Sequence, residues 1–307
     1  MVYFGLLMIL IAGLGNPVQT AVNSRMRMYT GSALIASAIS FIVGTILLLA
    51  ITIASGHGIS VRHEIAAAIP SWAWMGGVMG VIGLTGNILL FPKLGSIKTV
   101  LLPMVGQIVA SILIDSFGWF GTTVTPFDTY RAIGLALVFS GLAVYVSGKE
   151  QLTGGHDKAG NILWSVLAVI MGSVFAIQPA MNATLATAIS SPVHAAFISF
   201  ATSTVILLML IPVIPDSRHH IRGAFHERRP WWTWTGGVFG ANYVAMFAWF
   251  TPLLGVGLVS LTGIFGMLVM STIIDGKGII GAPRTRIRPK QIIGLITVLA
   301  GIVLIKH

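Results

Sequence analysis

Cysteine is absent from the 307-residue sequence, which excludes a disulfide framework and a thiolate metal site. Charged residues are scarce as well: Asp, Glu, Lys and Arg make up 8% of the chain, against about 25% in an ordinary soluble domain. So few charges cannot cover the surface of a water-soluble fold. Hydrophobic residues account for 55% of the sequence and the mean hydropathy is +0.92, so the chain is predicted to be an integral membrane protein.

The sequence also lacks the motifs of nucleotide-driven and catalytic proteins. No Walker motif, dinucleotide fingerprint or pair of facing carboxylates is present, so we expect no cofactor, no ATP-driven pump and no enzyme. His219, His220 and His226 share a basic loop with Asp216 but lack the ordered spacing of metal ligands, so we expect a solvated loop and no metal. The net charge of +10 would suggest nucleic acid in a soluble protein, but in so apolar a chain it fits cytoplasmic loops.

Ten apolar windows are long enough to cross a bilayer, which takes about 20 residues. Backbone groups in lipid must be satisfied within the segment, and runs of this length favour helices over alternating barrel strands. The fold class is therefore predicted as an all-α membrane bundle with ten transmembrane helices. The first window is expected to be a retained span, because no small-residue cleavage site follows it. The windows are 2–23, 31–54, 72–91, 97–116, 131–147, 161–183, 192–214, 232–251, 257–275 and 290–305.

The second half of the sequence repeats the first. Residues 70–80 return as residues 230–240, a shift of 160, and further upstream a shift of 159 places Gln19 on Gln178. Each half contains five predicted spans, so the two copies must enter the membrane in opposite directions. We therefore predict one membrane domain that consists of a first repeat, a short cytoplasmic linker and a second repeat, at 1–150, 151–160 and 161–307.

Basic residues lie mainly in the loops that follow odd-numbered spans. These loops carry 15 of the 18 Lys and Arg residues, and basic residues of membrane proteins concentrate in cytoplasmic loops. The charges also change places between the repeats: Arg25 aligns with Thr184, and Lys93 aligns with Leu253. The basic excess therefore follows the side of the membrane and not the position in the repeat. We predict a multi-pass protein of the cytoplasmic (inner) membrane with both termini outside.

Two stretches carry a family resemblance. They are Gly106-Gln107 followed by Ser111-Ile-Leu-Ile-Asp115-Ser-Phe-Gly118, and Asn16-Pro-Val-Gln-Thr-Ala-Val-Asn23 in the first span. Together with the doubled five-helix plan, they resemble the drug/metabolite transporter superfamily and, within it, the YdcZ-type branch of inner-membrane proteins. The resemblance covers nearly the whole chain. It implies a ten-helix bundle that works by alternating access, with a central cavity lined by the first, third and fourth helices of each half.

Amide side chains are the main candidates for a transport path. Gln19 and Asn23 are four residues apart and share one helical face, and the second repeat has the same pair at 178 and 182. The alternative is ordinary interhelical hydrogen bonding, which is worth about 0.6 kcal/mol per bond in membranes. Burying an unpaired amide costs roughly 2–7 kcal/mol, which argues against a lipid-facing position. The candidate substrate-binding residues are Asn16, Gln19, Asn23, Asn87, Gln107, Gln178, Asn182, Asn242, Tyr243 and Trp249.

Four further residues are candidates for gating or coupling. Pro17 and Pro179 each remove a backbone donor near the repeated glutamine, so a bend and a freed carbonyl are expected. Asp115 and Asp275 end the fourth and ninth spans, where a carboxylate opposes the helix dipole and needs a compensating donor or cation. The alternative for both is an interfacial residue bonded to the adjoining loop. No Asp, Glu, Lys or Arg lies well inside a span, so we expect a neutral, zwitterionic or lipophilic solute.

The sequence therefore predicts a secondary transporter that moves a small metabolite or drug across the cytoplasmic membrane, with export as the expected direction. Lipid or lipid-linked headgroup flipping is an alternative, and so is a membrane scaffold or sensor that transports nothing. The expected partners are a small-molecule substrate and membrane lipid, with a homodimer as an open alternative and no nucleic acid. Matched glycines are predicted to let helices pack closely; they are Gly76, Gly80, Gly236 and Gly240.

Overall fold

The computed structural model of the protein describes residues 1–56, 58–149, 158–220, 229–281 and 284–306, so that most of the predicted linker lies outside it. Within these ranges every regular element is a helix, in agreement with the predicted all-α class. The α-helices are α1 Val2–Thr30, α2 Ala33–Ala54, α3 His63–Ala68, α4 Gly76–Phe117, α5 Thr129–Ser147, α6 Lys158–Ala188, α7 Pro192–Leu210, α8 Pro215–His220, α9 Gly236–Leu254, α10 Val256–Lys277 and α11 Pro289–Lys306. Short 3-10 turns adjoin α4, α9 and α10; they are Ser71–Met75, Trp119–Gly121, Trp231–Trp234 and Ile279–Gly281.

Many of these helices are suited to a bilayer. In the part of the chain that the structure describes, eight helices are both long and apolar enough to cross a membrane, and Leu101–Phe117 forms a shorter apolar helix. The third and fourth predicted spans, 72–91 and 97–116, both fall on α4 and the turn before it. The protein is therefore a multi-span helical membrane protein.

The run α4 turns back on itself. It contains 42 residues, which would extend about 63 Å as a straight helix. Gly86 packs against Met171 of α6, and Gly106 packs against Val169 of the same helix. Residues twenty positions apart in a straight helix would be about 30 Å apart and could not both meet one turn of α6. The run therefore has two arms that reverse direction between them, and both arms lie against α6.

The second half makes the same reversal at a glycine. Gly255 separates α9 from α10 and has φ +83, a conformation that residues with a side chain rarely adopt. Phe247, eight residues before this turn, packs against Gly263, eight residues after it. The two helices therefore form a V, and α1 packs against both of its arms as α6 packs against both arms of α4.

Helices α5 and α11, which end the two halves, pack directly on each other. Gly134 lies against Gly301, and Gly141 lies against Gly294; a methyl group on Gly301 would stand only 2.5 Å from the Gly134 carbonyl oxygen. Under the shift of 160, Gly134 corresponds to Gly294 and Gly141 to Gly301. The same contact thus occurs twice, and it requires glycine because the two backbones approach so closely.

An apolar core lies where α10 packs beside α5 and α11. Tyr145 is almost fully buried in it, and its hydroxyl forms a 2.9 Å hydrogen bond with Thr272 Oγ1. Away from this core, α1 and α6 both contact α9, and α4 contacts α10. The candidate polar residues lie on these five helices.

Candidate functional site

The amides of the first repeat lie against glycines of the second. Gln19 and Asn23 are on α1, and Gly240 and Gly236 are on α9. A methyl group on Gly240 would overlap the Gln19 amide, and one on Gly236 would overlap Asn23 Oδ1. Because both pairs are spaced by four residues, two successive helical turns of α1 and α9 interlock.

The amides of the second repeat make the same arrangement with the first. Gln178 of α6 lies against Gly80, and Asn182 lies against Gly76, both on α4. Asn182 Nδ2 also donates a 3.4 Å hydrogen bond to Ser199 Oγ on α7. The matched glycines are therefore the positions that hold the repeated amides, in addition to allowing close helix packing.

Burial separates Asn182 from the other three amides. Asn182 is 1% exposed, and its Oδ1 has no hydrogen-bond partner among the described residues. Gln19, Asn23 and Gln178 are half-buried, so part of each side chain remains accessible. Asn182 thus fits the interhelical alternative, whereas the other three can also contact a ligand.

The two prolines lie inside continuous helices. Pro17 is within α1 and Pro179 is within α6, and neither ends its helix. Asn16 is half-buried, and its carbonyl oxygen accepts a 3.1 Å hydrogen bond from Thr20 Oγ1. The reversals of the chain occur elsewhere, within α4 and at Gly255, so the prolines do not divide either helix.

Gln107 and Tyr243 bring the two halves together at another polar point. Gln107 of α4 is 4% exposed, and its side chain lies beside the Tyr243 hydroxyl of α9. Its Nε2 has no hydrogen-bond partner of good geometry in the described part of the chain. The Tyr243 ring packs on Phe247 with the ring centroids 3.9 Å apart. A buried amide donor with no partner is the kind of group that a ligand can satisfy.

Asn242 and Trp249 lie on a different face of α9 from Tyr243. Both are exposed, and the Trp249 ring stacks on Phe250 with centroids 5.4 Å apart. Val238 and Leu253 are exposed on the same helix at the neighbouring turns, so this face is largely apolar. The structure therefore does not bring Asn242 or Trp249 to the interlocked amides, and the Asn87 side chain lies outside the described residues.

Asp115 caps a helix of the opposite repeat. Its Oδ1 accepts a hydrogen bond from Val256 N and its Oδ2 accepts one from Gly257 N, each 2.8 Å long. The side chain is buried at the end of α4, and both donors are in the first turn of α10. Free N–H groups and the positive end of the dipole make this terminus a favourable place for a carboxylate. The donors that compensate this carboxylate are therefore backbone N–H groups of α10.

Asp275, the repeat equivalent of Asp115, has a different partner. Its Oδ2 is 3.1 Å from Lys149 Nζ, and Lys149 also donates a 3.2 Å hydrogen bond to Ser271 Oγ. The backbone contacts of the two aspartates are nevertheless alike: the carbonyl of Asp115 accepts from Thr125 N and that of Asp275 accepts from Thr285 N, both at 2.8 Å. Matched positions thus keep the same backbone geometry while their carboxylates make different bonds.

One end of the helix bundle contains a recess. Its volume is about 410 Å³, and it is lined by Arg25, Tyr29, Trp232 and Ile280. These residues come from the end of α1 and from the turns that adjoin α9 and α10. The connections after the first, seventh and ninth predicted spans therefore meet at one end, as the distribution of basic residues requires.

At the other end, the equivalent positions are packed together. The repeat shifts place Arg25 on Thr184, Trp232 on Trp72 and Ile280 on Phe120. The Thr184 hydroxyl donates a hydrogen bond to the Phe120 carbonyl oxygen. The Trp72 ring meets the Phe120 ring edge-on, with centroids 5.5 Å apart. Thr184, Trp72 and Phe120 form what we call the closed cluster.

A second cleft opens on the side of the bundle between α4 and α6. It has a volume of about 280 Å³. Its lining residues are apolar except for the hydroxyl group of Ser173 and the indole N–H of Trp119. Val109, Leu113 and Trp119 stand at its exposed margin. This cleft fits an apolar chain and not a polar solute.

A family model described as "Putative inner membrane exporter, YdcZ" matches residues 4–144 and 163–304. The chain belongs to the YdcZ family of drug/metabolite transporters. The matched stretches begin 159 residues apart and end 160 residues apart, so each half matches on its own. The predicted YdcZ-type resemblance and its two repeats are confirmed. This YdcZ-family chain is therefore a multi-pass membrane transporter of the inner membrane.

A solved structure has the same overall fold as this YdcZ-family chain. It is described as "Crystal structure of protein". The superposition covers 96% of this chain and 95% of the other chain, with a TM-score of 0.61. The sequences are 15% identical, so the likeness concerns the fold alone. The comparison with curated proteins gives no match.

Sequence reasoning missed two features of this site. The α10 donors to Asp115 are 141 and 142 positions away in sequence, and no local pattern relates them. The closed cluster was also missed: comparing the charges of the two repeats identifies Thr184, which replaces Arg25, but Trp72 is identical to its equivalent Trp232 and Phe120 replaces the uncharged Ile280. Within the described ranges, no group of three His, Cys, Asp or Glu residues comes together.

Proposed function

We propose that this YdcZ-family protein is a secondary transporter whose two repeats form ten spans, five in each half, with opposite orientations in the membrane. The reversal within α4 supports counting this single helical run as two spans. The V of α9 and α10 supports the same count in the second half. With both termini outside, the Arg25 end of the bundle faces the cytoplasm. The predicted division into repeats at 1–150 and 161–307 follows from this arrangement, and the homodimer stays a prediction.

The transport path that we propose runs through the interlocked amides. Gln19 and Gln178 are half-buried at equivalent points of the two halves, and Gln107 and Tyr243 add polar groups where α4 meets α9. These groups are uncharged, so they suit a neutral or zwitterionic solute. Asn23 is accessible in the same way as Gln19, whereas Asn182 has the role of a packing residue.

One observation carries the proposal of alternating access. Equivalent positions form a recess at one end and the closed cluster at the other, so the two ends of the bundle have different arrangements. An inverted repeat can exchange such arrangements, which opens the path on one side while closing it on the other. In this proposal the recess is the cytoplasmic opening of the path, and export begins from the state that is open on that side.

The test is a ligand screen by thermal unfolding of the detergent-solubilised protein against a library of metabolites. A solute that binds the folded state raises its stability, by about 2.7 kcal/mol at a hundredfold excess over Kd. We expect a hit whose shift disappears in Gln19→Ala and Gln178→Ala but persists in Ser140→Ala, a control on an exposed face of α5. A hit that stabilises all three variants equally would contradict the proposed path.

The side cleft favours lipid transport as a second candidate function. Its apolar lining could hold an acyl chain while a headgroup occupies the polar path between the halves. In the same screen, this function predicts stabilisation by particular lipids and no response to soluble metabolites. A polar substitution at Val109, on the margin of the cleft, would then reduce the response to lipids.

A further inference from the structure

The recess beside Arg25 lies at the open end of the proposed path, but its residues are not among the amides that the path uses. It lies at the end of α1, beyond the interlocked amides, and its volume of about 410 Å³ is within the range of about 300–1,000 Å³ that is typical of ligand sites. One wall is cationic and two walls are aromatic, formed by Arg25, Tyr29 and Trp232. The recess is therefore a candidate for a ligand of its own.

The guanidinium groups of Arg25 and Arg229 flank Tyr29, but they have different hydrogen-bond partners. Arg229 Nη2 donates to the Tyr29 carbonyl oxygen at 3.4 Å, and Nη1 contacts Met26 Sδ at 3.4 Å. Arg229 thus compensates the carbonyl end of α1. Arg25 is half-buried in the recess. Its Nη1 donates to Met28 Sδ at a distance of 4.0 Å. Most donors of the Arg25 guanidinium are therefore available to a ligand.

No carboxylate of the described residues neutralises this charge. Across residues 1–56, 58–149, 158–220, 229–281 and 284–306, acidic and basic side chains form one ion pair, between Lys149 and Asp275. Arg25 and Arg229 consequently give the recess a positive potential. A planar guanidinium matches the oxygens of a phosphate group and can bind two of them at once.

The repeat comparison shows that this charge belongs to one face of the membrane. Arg25 is replaced by Thr184 in the second repeat and Arg229 corresponds to Ile69 in the first. A cation needed for the path would serve at both ends of an inverted repeat, whereas this one is present only at the end that the basic residues predict to be cytoplasmic. Anionic lipids are concentrated in that leaflet, and Trp and Tyr side chains favour the level of the headgroups.

We propose that the recess lined by Arg25, Tyr29 and Trp232 binds a phosphate group, carried either by an anionic phospholipid or by a soluble phosphate compound. Arg25 holds the phosphate oxygens, Arg229 adds positive potential, and the two aromatic rings contact the apolar part of the carrier. The cytoplasmic position of the recess rests on the proposed orientation, but none of these residues is among the interlocked amides, so phosphate binding and transport can be tested separately.

The experiment compares Arg25→Gln with Arg27→Gln in the purified full-length protein. Both changes remove one positive charge from the same end of α1, but Arg27 is exposed and does not line the recess. One arm titrates the detergent-solubilised protein with phosphatidylglycerol, against phosphatidylcholine, in mixed micelles and measures binding; the other measures thermal stabilisation by inorganic phosphate against chloride at equal ionic strength.

We expect Arg25→Gln to weaken binding at least tenfold in one arm, while Arg27→Gln stays within twofold of the wild type. An effect confined to the lipid arm identifies the lipid headgroup, and an effect in the phosphate arm identifies a soluble source. If Arg25→Gln does not fold, Arg25→Lys keeps the charge and removes the planar fork, and a loss of at least threefold is expected. Equal responses of the position-25 and position-27 variants in both arms would overturn the proposal.

Discussion

Thr45 and Thr204 share a 3.0 Å hydrogen bond between their hydroxyl groups, and each residue is the repeat equivalent of the other. Phe41 and Phe200, one helical turn earlier, are also equivalents, and their ring centroids are 5.0 Å apart. A residue can meet its own equivalent only close to the axis that relates the two copies. The crossing of α2 and α7 therefore marks the axis of internal pseudo-symmetry, which in an inverted repeat lies in the plane of the membrane.

The Thr45 pair can be tested by a disulfide. In Thr45→Cys/Thr204→Cys, we expect an oxidant to form an intrachain disulfide, because the two hydroxyl oxygens that sulfur would replace are already in contact. The natural chain contains no cysteine, so the product is unambiguous by mass spectrometry. Each single variant provides the control and should keep a free thiol. A double variant that also kept both thiols free would contradict the position of the axis.

Removal of the Asp115 carboxylate should destabilise the protein. In Asp115→Ala, the N–H groups of Val256 and Gly257 lose their acceptor in a buried place, which should cost about 2 kcal/mol. Asp115→Asn retains one acceptor oxygen and should lose less. Asp275→Asn is the matched control, because its partly exposed ion pair should contribute about 0–1 kcal/mol. Thermal unfolding in detergent measures this order, and a larger effect at 275 than at 115 would refute the cap.

The glycine at 240 should not tolerate a methyl group. Gly240→Ala places carbon where the Gln19 amide lies, and overpacking of this kind costs about 1–3 kcal/mol. Gly58→Ala, in a loop where the added carbon would approach only the Ser60 carbonyl at 3.9 Å, is the control. Its effect should stay within about 0.5 kcal/mol. The double variant Gly240→Ala/Gln19→Ala should recover part of the stability, and a failure to recover would show that another contact is responsible.

The amides should separate into functional and packing residues. Gln19→Ala and Gln178→Ala should reduce transport severalfold at unchanged protein level, because their accessible parts contribute to the path. Asn182→Ala should instead lower the amount of folded protein, since its buried side chain holds α6 to α7 through Ser199. Uptake or efflux by membrane vesicles, normalised to the folded protein, measures the difference. Normal transport by both glutamine variants would exclude them from the path.

The orientation in the membrane can be read from two added cysteines. Ala188→Cys lies at the end of α6 and Met28→Cys lies near the end of α1, and both positions are exposed. With both termini outside, an impermeant maleimide added to intact cells should label Ala188→Cys and not Met28→Cys. Cells opened before labelling provide the control, in which both variants react. The reverse pattern would place the Arg25 recess outside the cell.

The sequence predicted those features that repeat or alternate with a period. The window 31–54 corresponds to α2, Ala33–Ala54, and the shift of 159 correctly paired Gln19 with Gln178. By contrast, α1 continues to Thr30 although its window ended at residue 23, because arginines near a helix end can extend their charged groups to water. An apolar window therefore predicts the part of a helix that lies in lipid, and not the whole length of the helix.

The partners of the candidate residues could not be predicted in the same way. Asp115 reaches α10 and Gln19 reaches Gly240, and each contact joins segments from opposite halves. The sequence identified both the amides and the glycines, but their pairing depends on how the two halves pack. Equivalent residues also need not have equivalent partners: the Asp275 carboxylate binds Lys149, whereas the Asp115 carboxylate accepts from the backbone of α10.

The glycine contacts between α5 and α11 have a consequence for how such a chain could arise. Gly134 meets Gly301 and Gly141 meets Gly294, so the surface that closes the first half is complementary to an inverted copy of itself. A single half made as a separate polypeptide would therefore present a ready-made antiparallel dimer contact. Fusion of two gene copies would convert that encounter between molecules into one within a molecule, after which each copy is free to diverge in charge.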